Sequence, residues 1–127
     1  VEFHFTNEEP IYRQIAEQLE AAIFTGAFAE GSQVPSTTEI SKQFNVNPAT
    51  ILKGMNQLVE KGLLEKRRGL GMFVTAGAHQ QLQQQRRTHF LQRDVHQFIT
   101  AAKALNITAE ELEQMIMEGY SDEHTQS

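Results

Sequence analysis

Between Ser36 and Val74 the chain sets two helix starts, two helix stops and a glycine-flanked basic hairpin in one order, and few folds accept that order. Ser36-Thr37-Thr38-Glu39 is a capping box, in which the Ser36 hydroxyl accepts from the Glu39 backbone and the Glu39 carboxylate reaches back to Ser36. Ile40 and Phe44, four apart, face inward, and Asn45-Val46 breaks this helix. Asn47 is a good N-cap and Pro48 a good first-turn residue for the next one. Its buried face is Ile51, Met55, Leu58 and Val59; its open face is Ala49, Thr50, Lys53 and Asn56 or Gln57. Gly62 stops it in the left-handed conformation that glycine adopts cheaply. Leu63-Leu64 then begin a strand, Phe73-Val74 return it, and the Gly69-x-Gly71 between them permits a tight hairpin with a basic tip, Lys66–Gly71. The expected fold class is α+β, a winged helix-turn-helix. Such a pair of helices sets the second in a DNA major groove, with the hairpin tip reaching the backbone or the minor groove beside it.

A net charge of −5 argues against nucleic acid until its distribution is read. From residue 42 to 68 six cations (Lys42, Lys53, Lys61, Lys66, Arg67, Arg68) stand against Glu60 and Glu65, a local +4 on an otherwise acidic chain. Exposed charges more than about 8–10 Å apart are largely screened, so phosphate neutralisation is a local matter. An acidic body with one basic face suits specific binding and suppresses indiscriminate sticking. At 127 residues the chain is about one domain, or a small domain with an appendage. No apolar run approaches the roughly 18 residues of a membrane helix, and no secretory pattern opens the chain; Val1 reads as a start that follows an initiator or a tag. With no cysteine there is no disulfide framework and no thiolate metal site, and the expected compartment is the cytoplasm.

The flanks complete the scaffold. Val1–Phe5 alternates as a short strand does. Thr6–Pro10 turns into a helix whose apolar face is Ile11, Ile15, Leu19 and Ile23, with Ala16 and Ala22 beside it, ending before Gly26. Residues 27–35 form a loop anchored by Phe28 and Val34. These pieces mark a winged helix-turn-helix domain over 1–75 and a helical segment over 76–127.

Pro10-Ile11-Tyr12-Arg13-Gln14-Ile15, Gly26-x-Phe28-x-x-Gly31, Val34-Pro35-Ser36, Asn47-Pro48-Ala49-Thr50-Ile51, Gly62-Leu63-Leu64-Glu65 and Gly69-x-Gly71-x-Phe73-Val74 together resemble the GntR family of bacterial transcription regulators, over residues 3–75. The Asn-Pro-x-Thr opening and the short C-terminal region are similar to its YtrA subfamily. The resemblance implies a DNA-binding winged helix, a two-helix dimerisation appendage, and often repression of a transporter operon that includes the regulator's own gene. Where many relatives carry cations this chain has Thr38, Pro48, Leu52 and Leu70.

The candidate DNA-contact residues follow. Ser36, Thr37 and Thr38 open a helix, and a helix N-terminus is a phosphate site, although Ser36 caps the helix in any case. Asn47 is first a cap and second a phosphate contact. Ala49 is small enough for close approach to a thymine methyl, and Thr50 and Lys53 present base or phosphate contacts against the plain alternative of a solvated helix surface. Arg67 and Arg68, with Gly69 and Gly71 shaping the tip, are the wing contacts; ordinary solvated hairpin charges are the alternative. Tyr12 is expected in the core.

In the C-terminal segment Leu91, Val95, Phe98, Ala102 and Leu105 follow a 4-3-4-3 seam, widened by Phe90 and Ile99. Asn106-Ile107 interrupts it. Thr108-x-x-Glu111 is a second capping box, opening a helix with Leu112, Met115 and Ile116 inward, closed by Gly119 and followed by a frayed tail after Asp122. The Gln80–Gln85 stretch is an exposed entry to the long helix. Two helices cannot bury a seam and a stripe against themselves, so an isologous homodimer is expected, joined through Leu91, Val95, Phe98, Ala102, Leu105, Leu112 and Ile116. His89 and His96 share a face but lack the third ligand and nearby carboxylate a metal wants, so no metal and no cofactor is expected. The segment is too short to enclose a drug-sized pocket of about 300 Å³ alone, which puts any small-molecule effector, of unknown identity, between subunits. No phosphate loop, nucleophile elbow or convergent Ser/His/Asp set is present, so no enzyme activity is expected. The expected partner is a double-stranded DNA operator; the competing reading is a winged-helix protein-interaction module using the same face, towards which the apolar Leu70 leans.

Overall fold

The computed structural model describes residues 2–122, as two compact units, 1–84 and 85–127. The first contains α1 (Ile11–Thr25), α2 (Thr37–Phe44), α3 (Pro48–Glu60), and the antiparallel pair β1 (Leu64–Arg67) and β2 (Gly71–Val74). Helix α4 (Ala78–His89) follows, and the division between the units falls inside it. The second contains a π-helical turn (Phe90–Asp94), α5 (Val95–Ala104) and α6 (Ala109–Ser121).

The four-residue spacing of α1 puts Ile15, Leu19 and Ile23 at the centre of one core, with Ile40 of α2, Ile51, Met55 and Leu58 of α3, and Leu63, Leu64 and Val74 around the hairpin. Gly26, at φ 87°, ends α1 and its N–H donates to Ile23 O. Helices α1 and α3 cross closely at Gly54, where a Cβ would stand 2.6 Å from the Tyr12 carbonyl oxygen. Only glycine fits that crossing without displacing backbone. Ala78 and Leu82 of α4 are buried in the same core, which carries the first unit past residue 75, the boundary read from the sequence.

The opening segment is not a strand, which corrects the alternation reading; Val1 lies outside the described residues. No neighbouring strand is there to pair with it, and glutamine amides of α1 take that place. The His4 N–H donates to Gln18 Oε1 (2.9 Å) and Gln18 Nε2 donates to His4 O (2.7 Å). Buried Gln14 does the same further on, accepting from Thr6 N–H at 2.8 Å and donating to Thr6 O and Glu9 O. The alternation has a different purpose: Phe3 and Phe5 stack at 5.9 Å, and each meets the edge of Phe44 at 5.6 Å.

The hairpin begins at Leu64 rather than Leu63, and Lys66 and Arg67 are strand residues, so the turn is only Arg68-Gly69-Leu70. The loop before α2 lies along the free edge of β2: Gly31 N–H donates to Val74 O, Val74 N–H to Ser32 O and Val34 N–H to Met72 O. Val34 is buried and Phe28 packs against the core, as anchors should.

In the second unit Thr108 caps α6 with the expected box, accepting from Glu111 N–H at 3.2 Å. Helix α6 does not close at Gly119; it continues to Ser121, because an exposed helical glycine costs only about 1 kcal/mol and the next turn still forms, with Asp122 N–H donating to Glu118 O. The proposed tail beyond Asp122 lies outside the described residues. Ala102 is buried and Val95, Ile107 and Leu112 are half-buried, whereas Leu91, Phe98, Leu105, Met115 and Ile116 are exposed. Met115 and Ile116 thus do not face inward within one chain, because the two short helices of this unit are too small to enclose them. The glutamine stretch is not wholly exposed either: half-buried Gln81 donates its amide to Lys61 O at 2.7 Å.

Candidate nucleic-acid interface

The face begins with two caps and a tight turn. Ser36 Oγ accepts from Glu39 N–H (3.1 Å) while Ser36 N–H donates to Glu39 Oε1 (3.2 Å), so both reciprocal bonds of the box are made. Half-buried Thr37 and exposed Thr38 are the first two residues of α2. Asn45, at φ 55°, turns the chain out of α2, and Asn47 Oδ1 accepts from Ala49 N–H at 2.9 Å to open α3. The turn between the helices is therefore fixed by two asparagines, one in left-handed backbone and one as a cap.

On α3, Ala49 and Lys53 are exposed and Thr50 is half-buried. Lys53 does not extend freely into solvent: its Nζ stands 4.0 Å above the Tyr12 ring. Tyr12 is half-buried on α1, under that ammonium, and is not a core residue as its sequence context suggested. A cation held over an aromatic face keeps its charge and loses rotamer freedom, which orients Lys53. Sequence alone hid this pair because its members are on helices that meet only through the close crossing at Gly54.

The wing sorts its cations. Arg67 donates to Glu65 Oε1 at 2.9 Å and lies 4.1 Å above the Phe73 ring. Both partners are half-exposed, and such a surface pair is weak enough to exchange for a phosphate. Lys61 pairs with Glu20 of α1 at 3.2 Å. Lys42, Lys66 and Arg68 have no ion-pair partner among the described residues. The basic face is therefore narrower than the local +4, and Lys53, Lys66 and Arg68 carry most of it.

Gly69 adopts φ 77° and Gly71 φ 127°, left-handed backbone that closes the three-residue turn. A Cβ on Gly71 would also stand 2.6 Å from Gln33 Nε2, and that same Nε2 donates to Leu70 O at 2.6 Å. Gln33 thus holds the wing tip to the body. It lies 37 residues from its acceptor, and nothing in its local sequence distinguishes it. Ser36, Thr37, Thr38, Asn47, Ala49, Thr50, Lys53, Arg67, Arg68, Gly69 and Gly71 all belong to the helix pair or the wing of the first unit.

The family model for bacterial regulatory proteins of the gntR family matches residues 11–74, which covers α1 through the wing. The chain belongs to the GntR family. It is a DNA-binding transcription regulator with a winged helix-turn-helix. This GntR chain is 30% identical to YhcF of Bacillus subtilis, an uncharacterized HTH-type transcriptional regulator, over 85% of this chain and 88% of that one. It is 28% identical to the HTH-type transcriptional repressor YtrA of the same organism over 89% and 86%, which bears out the YtrA-subfamily resemblance. Among solved structures, the DNA-binding domain of AraR in complex with operator ORX1 superposes with a TM-score of 0.54 at 31% identity, over 59% of this chain and 96% of that one. Among the described residues there is no group of three His, Cys, Asp or Glu placed to hold a metal ion, and no helix is long and apolar enough to cross a membrane.

Proposed function

We propose that this GntR protein is a cytoplasmic homodimeric repressor that occupies an operator overlapping a promoter, with the promoter of its own gene among its targets. The first unit reads DNA. Thr50, Lys53 and Ala49 enter the major groove, Ser36, Thr37, Thr38 and Asn47 meet phosphates at the two helix starts, and Arg67, Arg68 and the Gly69–Gly71 tip reach the backbone or minor groove. The observation that carries this reading is the alignment of one oriented cation, Lys53 over Tyr12, with an unpaired wing cation, Arg68, on a chain that is acidic elsewhere. The operator-bound AraR domain and the repressor YtrA support it as relatives. The second unit joins two chains through Leu91, Val95, Phe98, Ala102, Leu105, Leu112 and Ile116. In support, Phe98 is 50% and Leu105 71% exposed in a single chain, a load of open apolar surface that small soluble units do not normally leave in water.

A gel-shift titration on the promoter of its own gene, run at several salt concentrations, tests the reading. Affinity should fall steeply with salt. Lys53→Ala with Arg68→Ala should weaken binding by about tenfold or more and flatten the log–log salt slope by about 2, near 0.9 per lost phosphate contact. The dimer should persist by sedimentation. Salt-insensitive or absent binding favours the protein-interaction reading instead.

A further inference from the structure

A cleft of about 320 Å³ lies between the wing and the two helices. Its apolar wall includes Leu52, Met55, Leu70 and Met72. Leu52 is 38% exposed on α3 and Leu70 is 65% exposed at the wing turn. These are two of the positions where the resemblance expected cations, and the fold brings them to one cleft. Lys66, Arg67 and Arg68 also line it, and no carboxylate does. The Gln33 amide bonded to Leu70 O fixes the turn that carries Leu70, so the leucine is presented by a held backbone.

An occupant must satisfy an apolar wall and cations together. We infer that the cleft receives the one sugar–phosphate strand that separates the major groove, entered by α3, from the minor groove beside the wing. Leu52 and Leu70 pack against the carbon faces of deoxyribose, while Lys66, Arg67 and Arg68 take the flanking phosphates. Helix and wing straddle that strand if they occupy neighbouring grooves, so the inference rests on the DNA-contact reading proposed above. Charge complementarity selects a polyanion over an apolar peptide, and the leucines select the part of a polyanion that has exposed C–H surface. Replacing cations by leucines at these two positions makes part of the affinity independent of salt, because packing on a sugar releases no counterion.

The experiment uses the full chain and a duplex that the wild-type protein selects from a random pool. Leu52→Ala with Leu70→Ala should weaken binding about tenfold at every salt concentration, leaving the log–log slope unchanged. Leu52→Arg with Leu70→Arg should steepen that slope by about 2, since each new cation gains a phosphate. Unaltered thermal unfolding of all variants establishes that the fold is intact. Undiminished affinity of the alanine variant, or a slope that flattens with it, overturns the deoxyribose contact. An arginine variant whose slope stays at the wild-type value overturns the placement of the strand. A pool that yields no selected duplex overturns the DNA-contact reading and this inference with it, a result distinguishable from the other two.

Discussion

The two units of this chain treat apolar surface in opposite ways. In the first, Ile15, Leu19, Ile51, Leu58, Leu63 and Val74 are closed from solvent, and Leu52 and Leu70 are its only large apolar side chains exposed among the described residues. In the second, Phe90, Leu91, Phe98, Ile99, Leu105, Met115, Ile116, Met117 and Tyr120 are all exposed. The contrast follows from architecture. Three helices and a hairpin surround a centre, whereas α5 and α6 form a pair with two faces and enough material for one contact, made at Ala102. A unit that closes its own core is stable by itself; one that leaves an apolar face open derives its stability from whatever covers that face. The two leucines left open in the first unit lie in the cleft beside the wing, which is why they read as contact residues rather than as missing packing.

The largest effect that separates the units is Phe98→Asp. A carboxylate in the centre of the apolar face is costly to desolvate, so sedimentation should show monomers and operator affinity should drop by at least about a hundredfold through loss of paired half-sites. Thermal unfolding of the first unit should be nearly unchanged; a dimer that survives places the interface elsewhere. Gly54→Ala acts on the other side of the comparison. Its new Cβ meets the Tyr12 carbonyl, and overpacking outweighs the helix-propensity gain of about 1 kcal/mol, for a net loss of about 2 kcal/mol by urea unfolding with the oligomeric state retained. Smaller still is Ser36→Ala, which removes a cap from α2 and should cost about 1 kcal/mol, again without effect on the oligomer.

Much of the first unit was legible in the sequence because its signals are local. The capping box at Ser36, the Asn47 cap, the four-residue spacing of Ile11–Ile23 and the glycines of the wing each act within one turn of the residue that shows them. Long-range contacts were not legible. Gln14 and Gln18 replace a strand partner for residues 4–6, Gln33 holds a wing tip 37 residues away, and Lys53 finds Tyr12 across the Gly54 crossing. Glutamine carries no positional signature, since its amide pairs with any backbone it reaches. The cation census gave the correct face but overstated its breadth, because the Glu20 and Glu65 partners of Lys61 and Arg67 depend on tertiary and cross-turn geometry. In the second unit the capping box at Thr108 was readable, while the π-helical turn at Phe90–Asp94 and the helix running through Gly119 were not. Their departures from pattern cost little in an exposed helix, so the sequence has no reason to mark them.

The central claim is that a self-contained DNA-reading unit is paired by a unit that is incomplete alone. Hydroxyl-radical footprinting of the full chain on a duplex it selects from a random pool tests this most directly. The account predicts two symmetric protected patches on one face of the duplex, about one helical turn or a multiple of it apart, that collapse to one weak patch with Phe98→Asp. A single patch for the wild-type protein, or an unchanged pair for the variant, contradicts it.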